Sequence, residues 1–347
     1  MTVSLEQLRR CHVAVDLGAA RTRVFVKGAG LVVDEPSVAA VNTRTGALIA
    51  VGEFAERMTG RTPGYIRVAR PASGGSVVDI EMAQRMLRSL LGEKLRRQLR
   101  RKPLLRAAAC VPHDCDPLAQ RATVETLVGL GARRVELVDT LIAAAIGCGL
   151  PVAQPTATMI LVCGAATTQV AVLSLGSIVT AERIPVGGHA IDHAVIQYLR
   201  HQHQLMLPSQ SVRPLHLALH GNGLTAQGPA ATEIHGRDVA TGLARSVVVE
   251  TAAVRQAIHA PLTTVLDGIG RVLRDCPPDL VADLAERGIT MVGGSARLPG
   301  LDQMLRDATG MPVRIADRPD VCAVLGLGEM LEGRVEPLML DPLAGTR

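Results

Sequence analysis

Alternating apolar and polar positions predict β-strands from the first residues of the chain. The stretch HVAVDLG (12–18) is an apolar strand that ends in Asp and Gly, and RTRVFVKGAGLVV alternates around a turn at 28–30. Alternation interrupted by glycine is typical of a β-hairpin. DEPSVAAVNTRTGALIAVG continues as strands around a turn at 45–46. The beginning of the chain therefore predicts a series of hairpin strands.

Helical periodicity begins at residue 80, and strands and helices then alternate. Leucines at helical spacing predict a helix over 80–102, and Pro112 ends a buried strand that begins at 104. The remaining patterns predict, in order, helix PLAQRATVETLVGLGA, strand RRVELVDT, helix LIAAAIGCGL, strand–turn–strand MILVCGAATTQVAV, helix 191–205, a helical region 254–276 interrupted near Pro261, and the strand, glycine turn and helix of ITMVGGSARLPGLDQML.

The second half of the chain repeats the beginning of the first. After a proline-marked break at 151–157, a strand, a glycine turn and a second strand appear again. A chain of 347 residues is also long enough for more than one core. Hairpins mixed with long helices predict an α/β fold of two lobes, each a mixed sheet flanked by helices, with a cleft between them.

The amino-acid composition excludes few classes of function. The net charge of +5 permits an acidic partner without requiring one. The seven scattered cysteines form no CxxC pair, so we interpret them as buried free thiols in a reducing cytoplasm. No stretch approaches the ~20 apolar residues of a membrane span, and MTVSLEQLRRCHVAV has no signal-peptide pattern.

Three glycine turns that follow strands are the candidate binding features. They lie at 16–18, 164–168 and 293–295. Such turns allow the backbone to approach a ligand closely and form nests of N–H groups that bind anions. Each turn alone is a weak signal, but three turns in separate halves suggest a ligand held between two lobes. The nucleophile pattern GxSxG and the phosphate loop GxxxxGK[ST] are both absent.

Nine stretches between about residue 12 and about residue 332 have a distinctive wording and order. They are DLGAARTRVFVKG, VDEPSVAAV, VGEFAERMTGRTPGYI, IAAAIGCGLPV, TTQVAVLSLGSIVT, IPVGGHAIDHAVIQYLR, HGRDVATGL, DLVADLAERGI and GGSARLPGLDQML. In these stretches the chain resembles the bacterial actin-like proteins of the MreB/Mbl family. The resemblance implies the two-lobed actin-like ATPase fold, with ATP and magnesium in the cleft. It also implies self-association into filaments, partners among cell-wall synthesis and membrane proteins, and a cytoplasmic location, peripheral at the inner face of the cell membrane.

The same resemblance divides the chain and locates its nucleotide-binding residues. It implies a first lobe at 1–145 with a small subdomain near 32–75. The second lobe then covers 146–315 with a small subdomain near 185–245, and 316–347 returns to the first lobe. The implied nucleotide-binding residues are Asp16, Gly18, Ala19, Ala20, Arg21, Thr22, Gly164, Ala165, Ala166, Thr167, Gly187, Gly188, Arg213, His216, Gly293, Gly294, Ser295 and Ala296. Arg213 and His216 lie in a stretch that matches the family poorly.

Several carboxylates of the family pattern are missing from this sequence. The Glu that positions the attacking water falls at Thr140, and the metal-linked Asp falls at Val162. A further Glu and Asp have become Gln169 and His189. Valine offers no oxygen to a hard cation, and threonine is no general base at neutral pH. No catalytic residue is therefore assigned, Asp16 alone remains for a metal, and ATP hydrolysis is predicted to be weak or lost.

Two features of this sequence leave alternatives open. Arg21 replaces an Asn of the family and either contacts phosphate or fills the cleft, in which case no cofactor binds. Residues 88–106 carry eight Lys or Arg against one Glu, which fits either an anionic membrane surface or an ordinary solvated helix. Nucleic acid is not expected, because aromatic residues are not interleaved with the basic ones.

Three classes of function remain at this stage. The first is a structural protein, either a filament or a filament partner. The second is a non-polymerising regulatory scaffold that has lost nucleotide binding. The third is a small-molecule kinase of the same superfamily, which Thr140 and Val162 disfavour because such kinases need the missing acids.

Overall fold

The computed structural model describes residues 4–98, 106–207, 211–212, 231–298 and 300–335. Its strands are β1 Val13–Leu17, β2 Arg21–Val26, β3 Gly30–Pro36, β4 Ala39–Asn42, β5 Leu48–Val51, β6 Ile66–Ala69, β7 Ala72–Ser73, β8 Ser76–Val77, β9 Arg106–Val111, β10 Arg134–Asp139, β11 Thr158–Cys163, β12 Thr168–Ser174, β13 Ser177–Ile184, β14 Leu205–Met206, β15 Ala231–Asp238, β16 Ala244–Glu250, β17 Ile289–Val292 and β18 Val313–Ile315. Its helices are α1 Leu5–Arg9, α2 Glu53–Met58, α3 Ile80–Gln98, α4 Pro117–Val128, α5 Thr140–Gly147, α6 Gly188–His203, α7 Thr251–Asp275, α8 Pro278–Arg287, α9 Leu301–Thr309 and α10 Cys322–Glu332.

Two five-stranded sheets have the same topology. The first has the order β10-β9-β1-β2-β3, and the second, read in the same direction, has the order β18-β17-β11-β12-β13. In each sheet the first three strands of this order are parallel and the last three are antiparallel. The repeat suggested by the sequence is therefore confirmed, as is the two-lobed α/β architecture.

A shared core connects the two sheets beneath the space between them. Helices α5 and α10 cross there, and one apolar cluster joins Ala108 of the first sheet and Ile160 of the second to Leu141 of α5 and Leu327 of α10. Smaller sheets stand beside the main ones, with order β5-β4-β6 in one case and β14-β15-β16 in the other. The α5–α10 pair is consequently the floor on which the cleft is built.

The interruption predicted near Pro261 is wrong, because α7 continues through this residue from Thr251 to Asp275. Proline removes one backbone hydrogen bond from a helix interior and normally breaks it. Here an apolar stripe extends along both sides of the proline, and packing of that stripe stabilises the helix on both sides of it. Its buried residues include Val254, Ile258, Leu262, Val265, Ile269 and Val272.

Three expectations about surfaces and thiols can be compared with the structure. All seven cysteines lie in described segments and are free thiols, as predicted, and all except Cys148 are buried. The basic stretch 88–106 is helical as far as Gln98, and residues 99–105 lie outside the described part. Within the described ranges, no helix combines the length and the apolar character needed to cross a membrane.

Candidate nucleotide site

The two phosphate-loop candidates have the same backbone geometry. The Gly18 N–H donates to the Arg21 carbonyl at 3.0 Å, and the Gly164 N–H donates to the Thr167 carbonyl at 2.9 Å. A Cβ at Gly18 would lie 2.8 Å from the Arg21 oxygen, and one at Gly164 would lie 2.7 Å from the Thr167 oxygen. Glycine is therefore required at both positions because the chain closes on itself too tightly for a side chain.

Replacing either of these glycines with alanine is expected to lower the free energy of unfolding by about 1–3 kcal/mol, because the new methyl group overpacks against backbone. Gly64→Ala is the control, since a Cβ at Gly64 meets nothing within 4 Å. Urea denaturation of the three variants measures the effect. Equal stabilities for all three would contradict the tight closure of the turns.

A cavity of about 640 Å³ opens between the two sheets, where these turns face one another. The following predicted nucleotide-binding residues line it: Asp16, Gly18, Ala19, Ala20, Arg21, Gly164, Ala165, Ala166, Thr167, Gly293, Gly294 and Ser295. Thr140, Val162 and Gln169, where the family carboxylates are missing, line it as well. The three glycine turns thus meet at one cleft.

Backbone N–H groups in the two turns provide the donors of this cleft. Within the described part of the chain, the amides of Ala19, Ala20, Ala165 and Ala166 donate to no protein acceptor. All four residues line the cavity. Groups of this kind form concave nests that attract anions, so the turns retain the means to hold phosphate oxygens.

The other predicted binding residues lie elsewhere. Thr22 and Ala296 are fully buried and do not line the cavity. Gly187 and Gly188 lie behind the second turn, where the Gly188 N–H donates to the Gly164 carbonyl at 3.0 Å. These two glycines position the turn and do not themselves line the cavity. Arg213 and His216 lie outside the described residues.

Sequence reasoning missed a row of charged side chains that crosses the first sheet beside the cavity. Asp16 on β1, Arg23 on β2 and Asp34 on β3 are register partners. An Arg23 nitrogen lies 4.0 Å from an Asp16 oxygen, Arg23 Nε lies 3.2 Å from Asp34 Oδ1, and another Arg23 nitrogen lies 3.5 Å from Asp320. The sequence patterns did not predict this pairing, because a register shift between Val24 and Phe25 sets residue 34 opposite residue 23, which a regular hairpin around the predicted turn would not do.

Arg21 is already engaged in the same cluster. Its Nε donates to Asp34 Oδ1 at 2.6 Å and its terminal nitrogen donates to the Asp34 carbonyl at 2.8 Å. The side chain also lines the cavity. Arg21 therefore forms part of the wall and leaves the cavity open. Burial raises the pKa of the Asp16 carboxyl, Arg23 opposes that effect by lowering this pKa, and Asp34 raises it further.

The equivalent row of the second sheet contains no carboxylate. Val162 pairs with Gln169, and Gln169 pairs with Arg183, at the positions that Asp16, Arg23 and Asp34 occupy in the first sheet. Val162 supplies no oxygen, and Gln169 Oε1 accepts the His113 N–H at 2.7 Å. Within the described ranges, no group of three or more His, Cys, Asp or Glu side chains could hold a metal. The second-lobe side of the cavity therefore offers no carboxylate to magnesium, which prefers carboxylates and water, whereas Asp16, Asp34 and Asp320 line the first-lobe side.

A histidine and an aspartate form a close pair beside the cleft. His113 Nδ1 and Asp139 Oδ2 are 2.7 Å apart, and Asp139 also caps α5 by accepting the Leu141 N–H at 2.7 Å. The hydrogen bond to Asp139 raises the pKa of the His113 imidazole against the opposing effect of burial. Because the His113 backbone N–H binds Gln169, this pair also lies where the two lobes touch.

The His113–Asp139 pair is expected to make stability depend on pH. A raised folded-state pKa means that the contribution is complete below the ordinary value near 6.5 and is lost as pH rises through the folded-state pKa. His113→Gln should therefore destabilise the protein more at about pH 5.5 than at about pH 8.5. Urea denaturation across this range measures the difference. Asp139→Asn should remove the same pH dependence while keeping the helix cap, and an unchanged dependence in both variants would contradict the assignment.

Comparison with known proteins identifies the family. The family model described as MreB/Mbl protein matches residues 10–338. The chain belongs to the MreB/Mbl family. It is 35% identical over 323 residues to the cell shape-determining protein MreB of Escherichia coli K12, with 92% of each chain covered. It is 34% identical over 323 residues to the cell shape-determining protein Mbl of Bacillus subtilis 168, covering 92% of this chain and 95% of Mbl.

Solved structures confirm the actin-like fold of this MreB/Mbl chain. MreB5 of Spiroplasma citri bound to AMPPNP superposes with a TM-score of 0.83 at 27% identity, covering 90% of this chain and 93% of that one. The MamK double helical filament superposes with a TM-score of 0.74 at 18% identity, covering 92% and 98% of the two chains. The chain is thus an actin-like protein of a family of cell shape determinants.

Proposed function

We propose that this MreB/Mbl chain is an actin-like cytoskeletal subunit that binds a nucleotide and hydrolyses it weakly or not at all. The proposal rests on a contrast between two groups of residues in the same cleft, the turns that could bind phosphate and the positions where catalytic acids are missing. The turns at Gly18 and Gly164 keep their closed geometry and contain amides that donate to no acceptor in the described part of the chain, whereas Thr140 and Val162 stand where the family has acids. Binding and catalysis use different atoms, so one can persist without the other.

Nucleotide binding is supported by the cleft and by a related protein. MreB5 of Spiroplasma citri has been solved with AMPPNP and with ADP. The present cleft has about 640 Å³ of space and its two turns offer amides to an anion. ATP is therefore the nucleotide we propose. Hydrolysis is disfavoured because removing one catalytic group typically lowers a rate by orders of magnitude, and several are missing here.

Self-association is the second part of the proposal. The relatives are named for determining cell shape, and the fold is compatible with assembly, since MamK forms a double helical filament. We propose that the chain forms filaments, or joins those of an active relative, at the inner face of the membrane, where they organise cell-wall synthesis. The basic stretch 88–106 would favour an anionic lipid surface.

Sedimentation and electron microscopy of the purified protein test this second part. Filaments in the presence of ATP, alone or after mixing with an active MreB, would support it. Monomers under both conditions would favour the alternative of a non-polymerising scaffold. Phosphate transfer to a small molecule would instead support the kinase alternative, which the missing acids disfavour.

A further inference from the structure

Two cysteines meet where α5 ends and α10 begins. Cys148 follows the last residue of α5, and Cys322 is the first residue of α10. Their thiols are hydrogen-bonded to each other, and both side chains pack in the apolar cluster that connects the two sheets. A Cβ at Gly147, next to Cys148, would lie 1.8 Å from the Cys322 carbonyl oxygen. A disulfide requires two Cα atoms that lie close together, and the two backbones approach each other closely at this crossing.

Each sulfur is also held at the end of its own helix. Cys148 Sγ lies 3.4 Å from the Ala145 carbonyl oxygen, and Cys322 Sγ lies 3.2 Å from the Arg318 carbonyl oxygen. These contacts limit the rotation of both side chains. The two thiols are therefore positioned toward each other by the fold.

Cys148 is the reactive member of this pair. It is partly exposed, whereas the other six cysteines are buried. The hydrogen bond with Cys322 lowers the pKa of the Cys148 thiol, burial opposes that effect, and Arg314 lowers this pKa further. The pKa values of the other six thiols are all raised. Because the thiolate is the form that reacts with oxidants, a small oxidant should attack Cys148 first.

We propose that Cys148 and Cys322 form an oxidation-sensitive dithiol, in which a hydroperoxide oxidises Cys148 and Cys322 converts the product into a disulfide between α5 and α10. In the first step the Cys148 sulfur attacks a peroxide oxygen. An S–O bond forms, the O–O bond breaks, and the departing oxygen leaves as water or an alcohol after taking a proton. Cys148 is then a sulfenic acid.

The second step uses the neighbouring thiol. The Cys322 sulfur attacks the Cys148 sulfur, an S–S bond forms, and the S–O bond breaks. The hydroxide that leaves takes the Cys322 proton and becomes water. Two electrons have then passed from the two thiols to the peroxide, and a small dithiol reductant reverses the change.

The disulfide would connect the two helices that lie beneath the cavity. Thr140 and Ala144 of α5 line this cavity, and so does Ala323, which follows Cys322 in α10. An S–S bond of about 2.05 Å is much shorter than a contact between two thiols, so the helix ends must adjust when it forms. We therefore expect oxidation to change the affinity of the cleft for ATP, an effect that rests on the proposed nucleotide site.

Peptide mapping of the full chain tests the disulfide itself. The reduced protein is treated with a small excess of hydrogen peroxide, alkylated and digested without reductant. Mass spectrometry should find the Cys148 and Cys322 peptides linked, with two hydrogens lost, and dithiothreitol should separate them. Alkylated Cys148, sulfinic acid at Cys148, or a disulfide between two chains as the main product would each overturn the proposal.

Variants separate the roles of the two cysteines. Cys148→Ser should leave Cys322 reduced, whereas Cys322→Ser should accumulate sulfenic acid at Cys148, which dimedone labels. Cys276→Ser, at a buried thiol beyond α7, is the control and should form the disulfide as the wild type does. Equal dimedone labelling of wild type and Cys322→Ser would contradict the role of Cys322. If Cys322→Ser does not fold, the peptide map of the wild-type protein still decides the question.

Calorimetry on the reduced and oxidised protein tests the effect on the cleft. The dissociation constant for ATP is expected to differ by at least about threefold between the two forms, and peroxide treatment should have no such effect on Cys148→Ser. Equal affinities with the disulfide formed would overturn the connection to the cleft. Absence of ATP binding by the reduced protein would instead overturn the proposed nucleotide site, while the peptide map would still decide whether the disulfide forms.

Discussion

Gly326→Ala is expected to lower the free energy of unfolding by about 3 kcal/mol or more, because overpacking against an immovable neighbour is strongly destabilising. A Cβ at Gly326 of α10 would lie 1.7 Å from the Ala143 carbonyl oxygen of α5. At Gly147 of α5 it would lie 1.8 Å from the Cys322 carbonyl oxygen of α10. Backbone atoms cannot rotate away, so the helices would have to separate.

The cleft should also respond to this substitution. Thr140 and Ala144 of α5 and Ala323 of α10 line the cavity, so the helix pair forms its floor. Separating the helices would displace the floor relative to both phosphate turns. We therefore expect ATP affinity to fall together with stability in Gly326→Ala, measured by calorimetry and urea denaturation on the same preparation.

Gly270→Ala provides a control of the same chemistry in another helix. Gly270 lies within α7, and a Cβ there would meet only the end of the Arg274 side chain at 3.7 Å. Alanine is favoured over glycine in a helix interior by up to about 1 kcal/mol, so this variant should be equally stable or slightly more stable. Similar destabilisation in both variants would show that the α5–α10 crossing is looser than described.

Local sequence patterns predicted the elements that depend on neighbouring residues. The turns at Gly18 and Gly164 follow from glycine between apolar strands, and their similarity predicted an internal repeat, which the two sheets of equal strand order confirm. The α5–α10 crossing could not be predicted in this way. Gly147 and Gly326 are 179 positions apart, and nothing near either glycine shows that another backbone will approach it. Pro261 was misjudged for the same reason, since distant packing maintains its helix.

The candidate site was likewise only partly predictable from the sequence. Resemblance identified the losses at Thr140 and Val162, and the structure places both residues in the cavity wall. Arg23 and Asp34 were overlooked because the resemblance directed attention to the turn and not to the strands beyond it. Their pairing depends on a register shift between Val24 and Phe25, which neither the strand alternation nor the predicted turn fixes. The charged row therefore could not be predicted from the sequence patterns alone.

Restoring the missing carboxylates is expected to increase the rate of ATP hydrolysis. The wild-type protein is expected to release phosphate at least about 100-fold more slowly than an active MreB assayed beside it, because each missing acid–base group typically contributes 10²–10⁴-fold. The triple variant Thr140→Glu, Val162→Asp, Gln169→Glu should release phosphate at least about tenfold faster than wild type. Single substitutions should remain at background, since groups that act as a unit are not additive.

The surroundings of residues 140, 162 and 169 determine how the restored carboxylates would behave. Thr140 is the first residue of α5, where a carboxylate interacts favourably with the helix dipole. Residues 162 and 169 are cross-strand partners, so two carboxylates there would repel each other until a cation binds, although Arg183 opposite residue 169 offsets part of the repulsion. Magnesium should accordingly raise the melting temperature of the triple variant and not that of wild type.

Thr140→Gln with Val162→Asn is the matched control, because Gln169 is already the amide counterpart of glutamate. This variant reproduces the size and polarity of the restored groups without their charge, and we expect it to stay at the wild-type rate. Phosphate release by the wild-type chain at the rate of an active MreB would contradict the loss of catalysis. Equal gains in the amide and carboxylate variants would show that cleft shape, and not the missing acids, limits turnover. Faster phosphate release in the carboxylate variant alone would mean that this cleft retains the geometry of an ATPase and lacks only the carboxylate oxygens.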